Sequence, residues 1–472
     1  MNLIYQVLPR LWGKGKFSSI DASTFTYWKN LGIDTVWYTG VIRHASASSG
    51  EKVIKGEAGS PYAITDYYDV NPYLADNPSE RMQEFEDLVR RTHEAGLKVV
   101  MDFVPNHVAR EYKGSLGKED NTSVHWAPEN DFFYYPGQEL ELPLKVEGFK
   151  EFPAKASGNC FSSAPGINDW WETVKINYCD FQTATWDKML RIVLFWVSKG
   201  VDGFRCDMVE LVPPQFMQWL IASVKEKHPQ IHFIAEVYQK EKYRMYVEEV
   251  SFDLLYDKSG LYDTLRAVTC SGASAKGISW NWQFLGDLQP HMLNFLENHD
   301  EQRVASDFFC GNAKRGYAAL GVSALLNGAP FMLYFGQEMG ERGMQAEGFS
   351  GLDGRTSIFD WCTVPALQHP DKAVLKRYKE VLKMARMPVF RQGKTFDLCY
   401  CQDEGRFDKD RHFAFLRSDG KTSYLILANF GQEADISVCI PAEALDYLGI
   451  KLVRTVYTIA VKSCDFCALE VH

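Results

Sequence analysis

The chain has 472 residues, 46% of them hydrophobic and 24% charged, an ordinary globular composition with room for one large barrel and smaller domains beside it. A formal charge of −10 and no long basic run argue against a nucleic-acid or anionic-membrane partner. No apolar stretch of ~18 residues predicts a membrane span, and the 11 cysteines, odd in number and scattered, read as reduced thiols rather than a disulfide framework.

The first residues carry no basic region, sustained apolar segment or small-residue cleavage site, so they are expected to open a strand, and a cytoplasmic location is expected with them. Apolar–polar patterning predicts strands at 4–8 and 35–38 around a helix at 21–31. A helix at 82–94 is stopped by Gly96 and followed by a buried strand at 98–104. Between the first elements, 44–60 is rich in Ser and Gly and is the one stretch that reads as a flexible loop. The alternation breaks at 108–178, a stretch rich in Gly, Pro, Asn and aromatics and too long for an ordinary βα loop.

Alternation then resumes. Helices are expected at 186–198, 215–225, 261–269 and 316–326, and strands at 201–205, 232–235, 252–256, 291–296 and 331–334. Roughly eight strands separated by helices imply an α/β chain with a closed (β/α)8 TIM barrel. The expected organisation is a barrel from 1–107 and 179–390, an insertion at 108–178 after the third strand, and a C-terminal antiparallel β domain, sandwich-like, at 391–472. In that last part strands are expected at 412–417, 422–429, 435–440 and 454–460. Cys464 and Cys467 form a lone pair there, without the second pair that a zinc site needs.

Four polar clusters stand at the ends of apolar strands: Asp102 with Asn106 and His107, Arg205 with Asp207, Glu236 with Tyr238, and Glu297, Asn298, His299 and Asp300. Barrel active sites lie on that face. A charge ending an apolar strand is costly unless it is solvated, paired or used. Four together point to one pocket with several carboxylates. Arg205 precedes Asp207 by two residues, so the strand period of two turns both side chains to one face. The aromatic share of 14%, with 12 Trp and 23 Tyr, supplies rings of the kind that pack on the apolar C–H face of a pyranose.

These clusters, in this order and strand context, resemble the signature regions of glycoside hydrolase family thirteen, the α-amylase superfamily, and the resemblance runs along the whole chain. Further segments at 61–67, 177–178, 328–330 and 336–338 resemble the family's as well. The resemblance implies a retaining hydrolase of α-glucosidic bonds, α-1,4 above all, in maltooligosaccharides or related α-glucans. It implies Asp207 as nucleophile, Glu236 as acid/base and Asp300 as the group that binds sugar hydroxyls in the transition state. Arg205 would orient Asp207, His107 and His299 would bind sugar hydroxyls, Tyr62 would stack on the sugar, and Arg303 would support the pocket by ion pairing. Two other readings stand beside this one: an α-glucosidase or transglycosylase on the same scaffold, and a non-catalytic carbohydrate-binding homologue.

The chain departs from the family's pattern after the nucleophile. Met208 fits neither common type, and Glu210 and Leu211 stand where many α-amylases place a Lys–His pair. Glu210 is expected at the mouth of the pocket, facing the catalytic acids. No cofactor is required for the chemistry. A structural calcium stays open, with Asn106 as the ligand that the resemblance implies and Asp169 as its partner.

Overall fold

The structure is a computed structural model and describes residues 1–116, 131–345, 349–403 and 405–472. Eight parallel strands close into a barrel in chain order: Leu3–Val7, Thr35–Tyr38, Lys98–Phe103, Gly203–Cys206, His232–Ala235, Leu254–Tyr256, Met292–Phe295 and Phe331–Tyr334. The strands are short and almost wholly buried, because helices cover the outside and side chains fill the inside.

Local chemistry sets the element ends. The Asp21 carboxylate accepts from the amides of Ser23 and Thr24 and starts the helix Ala22–Leu31, and Gly32, at φ 86°, ends it in the left-handed region. The expected strand at 252–256 is shorter, Leu254–Tyr256. Asp253 lies outside it, and its carboxylate accepts from the Phe233 amide at 2.8 Å. Residues 44–60, expected to be flexible, are pinned: the amides of Ala58 and Gly59 donate to Phe359 O, and Lys55 is buried against Glu172 at 3.1 Å.

The insertion rises from the end of the third strand. His107–Ala109 pairs antiparallel with Thr173–Lys175, and Tyr134–Tyr135 with Ala154–Lys155. Part of the expected insertion, 117–130, lies outside the described residues.

After the helix Lys372–Ala385 comes a four-stranded antiparallel sheet of Lys394–Asp397, His412–Ser418, Ser423–Asn429 and Asp465–Glu470, with a second pair, Ala434–Cys439 and Val456–Val461. Arg417 of this sheet is fully buried. It donates to Leu326 O at 3.0 Å and Val389 O at 3.1 Å on the barrel side, and to Thr395 Oγ1 at 2.7 Å on the neighbouring strand.

Candidate active site

Parallel register sets Asp102 of the third strand opposite Arg205 of the fourth. Asp207 follows at once, its amide held by Phe103 O at 2.9 Å, and Glu236 follows the fifth strand with its amide on Cys206 O at 3.2 Å. Neighbouring strands thereby bring the four charged groups to one end of the barrel.

Arg205 lies beneath the carboxylates, with none of its side chain exposed. Nη1 donates to Asp207 Oδ1 at 2.6 Å and stands 3.8 Å from Asp102 Oδ1, while Nη2 is 2.8 Å from Glu236 Oε1. Trp37, Tyr62 and Tyr256 surround the guanidinium at 5.3–5.6 Å from their ring centres, a cage that favours the cation. Its neighbours hold Arg205 well above its ordinary pKa.

Glu236 has both oxygens occupied. Oε2 accepts from the Met208 amide at 2.8 Å, and Oε1 accepts from the Tyr238 hydroxyl at 2.7 Å. Met208 is in the left-handed region at φ 44°, ψ 47°, a conformation rare for a side-chain-bearing residue, and its amide N–H is directed to the acid. Tyr238, named in the sequence only as part of a cluster, therefore touches the acid/base candidate directly.

Burial, relieved only in part by Arg205 and then opposed by the charge of Glu236, pushes Asp207 above the usual carboxylate range. Asp300 is raised by burial first and by Glu236 next. One guanidinium does not neutralise the set, so the cluster holds a proton at pH values where isolated carboxylates have lost theirs. Asp102 is raised to about 6, chiefly by burial, against the pull of Arg205.

These groups open into a cavity of about 810 Å³. Asp207, Glu236, Asp300, Tyr62 and His107 line it, together with Met208 and Tyr238. Three of the residues expected around the sugar, Arg205, His299 and Arg303, do not line it. Arg205 is underneath, as described. His299 is behind Tyr62, whose ring stacks on it at 5.2 Å with the hydroxyl 2.5 Å from Nε2; Gln6 Nε2 holds Nδ1 at 2.8 Å, and Asp300 Oδ2 is 3.1 Å from Nε2. Burial and Arg205 keep that imidazole neutral. Arg303 is fully buried, paired with Glu297 at 2.9 Å and bonded to Phe335 O and Thr356 Oγ1, so it braces the loop and does not reach the pocket. His299 and Gln6 thus act on the cavity through Tyr62 and Asp300. Gln6 gave no signal, because an isolated polar residue in a strand reads as solvent-facing unless the barrel is known to close.

Glu210 is also not at the mouth. Its carboxylate accepts from the amides of Tyr238 at 2.8 Å and Gln239 at 3.2 Å, tying the turn after Asp207 to the turn after Glu236. At the expected calcium position, Asn106 Oδ1 is taken by the Lys175 ammonium. Asp169 is turned to its own loop, accepting from the Gly166 amide at 2.8 Å. These residues do not fit a calcium ion.

A family model described as the α-amylase catalytic domain matches residues 15–386. "Alpha-amylase 3" of Dictyoglomus thermophilum is 24% identical over 330 residues, 68% of this chain and 59% of that protein. "Alpha-amylase MalA" of Haloarcula japonica is 27% identical over 452 residues, 93% of this chain and 57% of that protein. The chain thus spans less than two thirds of the length of either relative. The solved structure of a maltogenic α-amylase, AmyB from Thermotoga neapolitana, superposes with a TM-score of 0.67 at 22% identity, covering 100% of this chain and 96% of that one, and so shares the fold. With the family match running from ahead of the helix Ala22–Leu31 to the end of the helix Lys372–Ala385, the chain belongs to the α-amylase family.

Proposed function

We propose that this protein is a retaining glycoside hydrolase that cleaves α-glucosidic bonds, α-1,4 by preference, in maltooligosaccharides or related α-glucans. The observation that carries the reading is the Arg205 guanidinium set on one oxygen of Asp207 and one of Glu236 through separate nitrogens. A single guanidinium spanning both carboxylates favours the short spacing of ~5–5.5 Å used in double displacement over the ~6.5–9.5 Å that leaves room for a water.

Asp207 Oδ1 is held by Arg205, which leaves Oδ2 to attack the anomeric carbon. As that C–O bond forms, the glycosidic C–O bond breaks, and the proton on Glu236 passes to the leaving oxygen. Water then adds to the same carbon, gives its proton to Glu236 and releases Asp207. These steps balance with side chains and water alone. Asp300 borders the cavity where it can accept from the ring hydroxyls, and Tyr62 offers a face for the sugar. The eleven free thiols support a reducing, cytoplasmic location.

An α-glucosidase or transglycosylase is the second reading. It is favoured by the apolar cavity wall of Met208, Leu144, Phe349 and Phe359, where an acceptor sugar could stack. Products from maltoheptaose separate the two, since exo-action releases glucose alone and transfer yields longer chains. NMR of fresh products should show the α-anomer first. Initial β-anomer would end the double-displacement mechanism, and no turnover on α-1,4, α-1,6 or α-1,1 glucosides would favour a non-catalytic carbohydrate-binding protein.

A further inference from the structure

Lys175 ends the insertion strand Thr173–Lys175, in register opposite His107. A lysine closing such a strand is ordinarily solvated. This one is 8% exposed, and its ammonium donates to Asn106 Oδ1 and, at 2.9 Å, to Leu211 O. Both partners are neutral, and no carboxylate of the described residues forms an ion pair with it. A buried ammonium without a counter-charge is costly unless its donors are well used.

The three pieces it joins explain its position. Asn106 follows the third barrel strand, Leu211 ends the turn that follows Asp207, and Lys175 belongs to the insertion. An amide oxygen and a backbone carbonyl are the kind of ligands that hold a hard metal cation. Here a positive charge from the chain itself takes them.

The bond has a directional effect. With Oδ1 committed to the ammonium, Asn106 Nδ2 faces His107 Nδ1 at 3.1 Å and Gly158 O at 2.9 Å. An amide that donates to Nδ1 leaves the ring proton on Nε2. The ring itself lines the cavity, with the Trp170 ring 5.1 Å away between centres.

We infer that Lys175 is a built-in cation that takes the place of a structural metal ion at the junction of insertion and barrel, and that through Asn106 it holds His107, which lines the cavity, in its Nε2–H tautomer. Lys175 touches no reacting atom; it is a positioning residue.

The test compares the full chain in EDTA and in millimolar calcium chloride. Wild type should show the same Tm and the same kcat/KM in both. A rise of several degrees in calcium, or an equivalent of calcium retained after dialysis, would overturn the inference. Lys175→Met should raise KM about tenfold, more than it lowers kcat, and the nitrogen NMR pattern of His107, assigned with His107→Gln, should shift toward a mixture of tautomers. An unchanged KM and an unchanged Nε2–H pattern would overturn it as well. If Lys175→Met does not fold, Asn106→Asp replaces it. That variant keeps an oxygen for the ammonium but loses the donor to Nδ1, so its Tm should stay indifferent to calcium while the His107 pattern changes; stabilisation by calcium would count against the inference. The KM readout rests on the proposed glycosidase activity, whereas the thermal and NMR readouts do not, so failure of either is separable.

Discussion

Around Arg205 the negative groups outnumber the positive one. Burial and, after the opposing pull of Arg205, the charge of Glu236 make the ionised form of Asp207 costly to hold. Asp207→Asn should therefore act in two directions. It removes the nucleophile, so turnover should fall by about three decades or more. It also removes one buried like charge, so the Tm should rise slightly. Both are read from one preparation, by initial rates on maltooligosaccharides and by calorimetry. A tenth of wild-type turnover remaining would show that Asp207 is not the nucleophile.

Asp102 gives a pH-dependent counterpart. Its folded-state value of about 6 is above the ~3.9 of an unfolded aspartate, so the fold favours the protonated form. That contribution is complete below pH ~4 and is lost as the pH rises through about 6. Between pH 5 and 8, Asp102→Asn should lose less Tm than wild type; parallel curves would mean that Asp102 stays charged throughout. Asp207, Glu236 and Asp300 were legible in the sequence because a carboxylate ending an apolar strand needs a purpose. His299 misled, since adjacency to a motif does not say on which side of Tyr62 a side chain will lie, whereas Arg303 makes the supporting ion pair expected of it, with Glu297. Lys175 was illegible, because in Thr-Val-Lys it has the pattern of a solvated strand end.

The turns matter as much as the strands they follow. The short helical turn Val209–Leu211 presents Glu210 to the amides of Tyr238 and Gln239, while the Met208 amide reaches Glu236. The loops bearing the nucleophile and the acid are thus laced together twice. Glu210→Ala should lower kcat/KM about tenfold, and Glu210→Gln, which keeps one acceptor oxygen, should recover most of it. Equal rates for all three proteins would show that the lacing is dispensable. The eight barrel strands were readable from apolar runs between helices, whereas Lys394–Asp397 and Asp465–Glu470 were not. Both carry charged ends; Lys394–Asp397 has a single apolar residue, Phe396, and Asp465–Glu470 has its apolar run 466–469 without β-branched residues, so pairing with their neighbours in the sheet is what makes them strands.

At the scale of the whole molecule, a barrel and a β sheet share one buried arginine. Arg417 reaches carbonyls on two segments outside its own sheet: Leu326 O, which also accepts from Thr395 Oγ1 at 2.6 Å, and the neighbouring Val389 O and Phe390 O, both of which Nη2 serves. Arg417→Met should cost about 3 kcal/mol by taking this donor from Val389 O and Phe390 O, visible as a lower midpoint in thermal scans; an unchanged midpoint would mean that water replaces the bonds freely. The joint also governs how heat dismantles the protein. Neither part can loosen without stripping donors from the other, so the wild-type chain should absorb heat in a single calorimetric peak whose van't Hoff and measured enthalpies agree, and cutting this one side chain should split that peak in two.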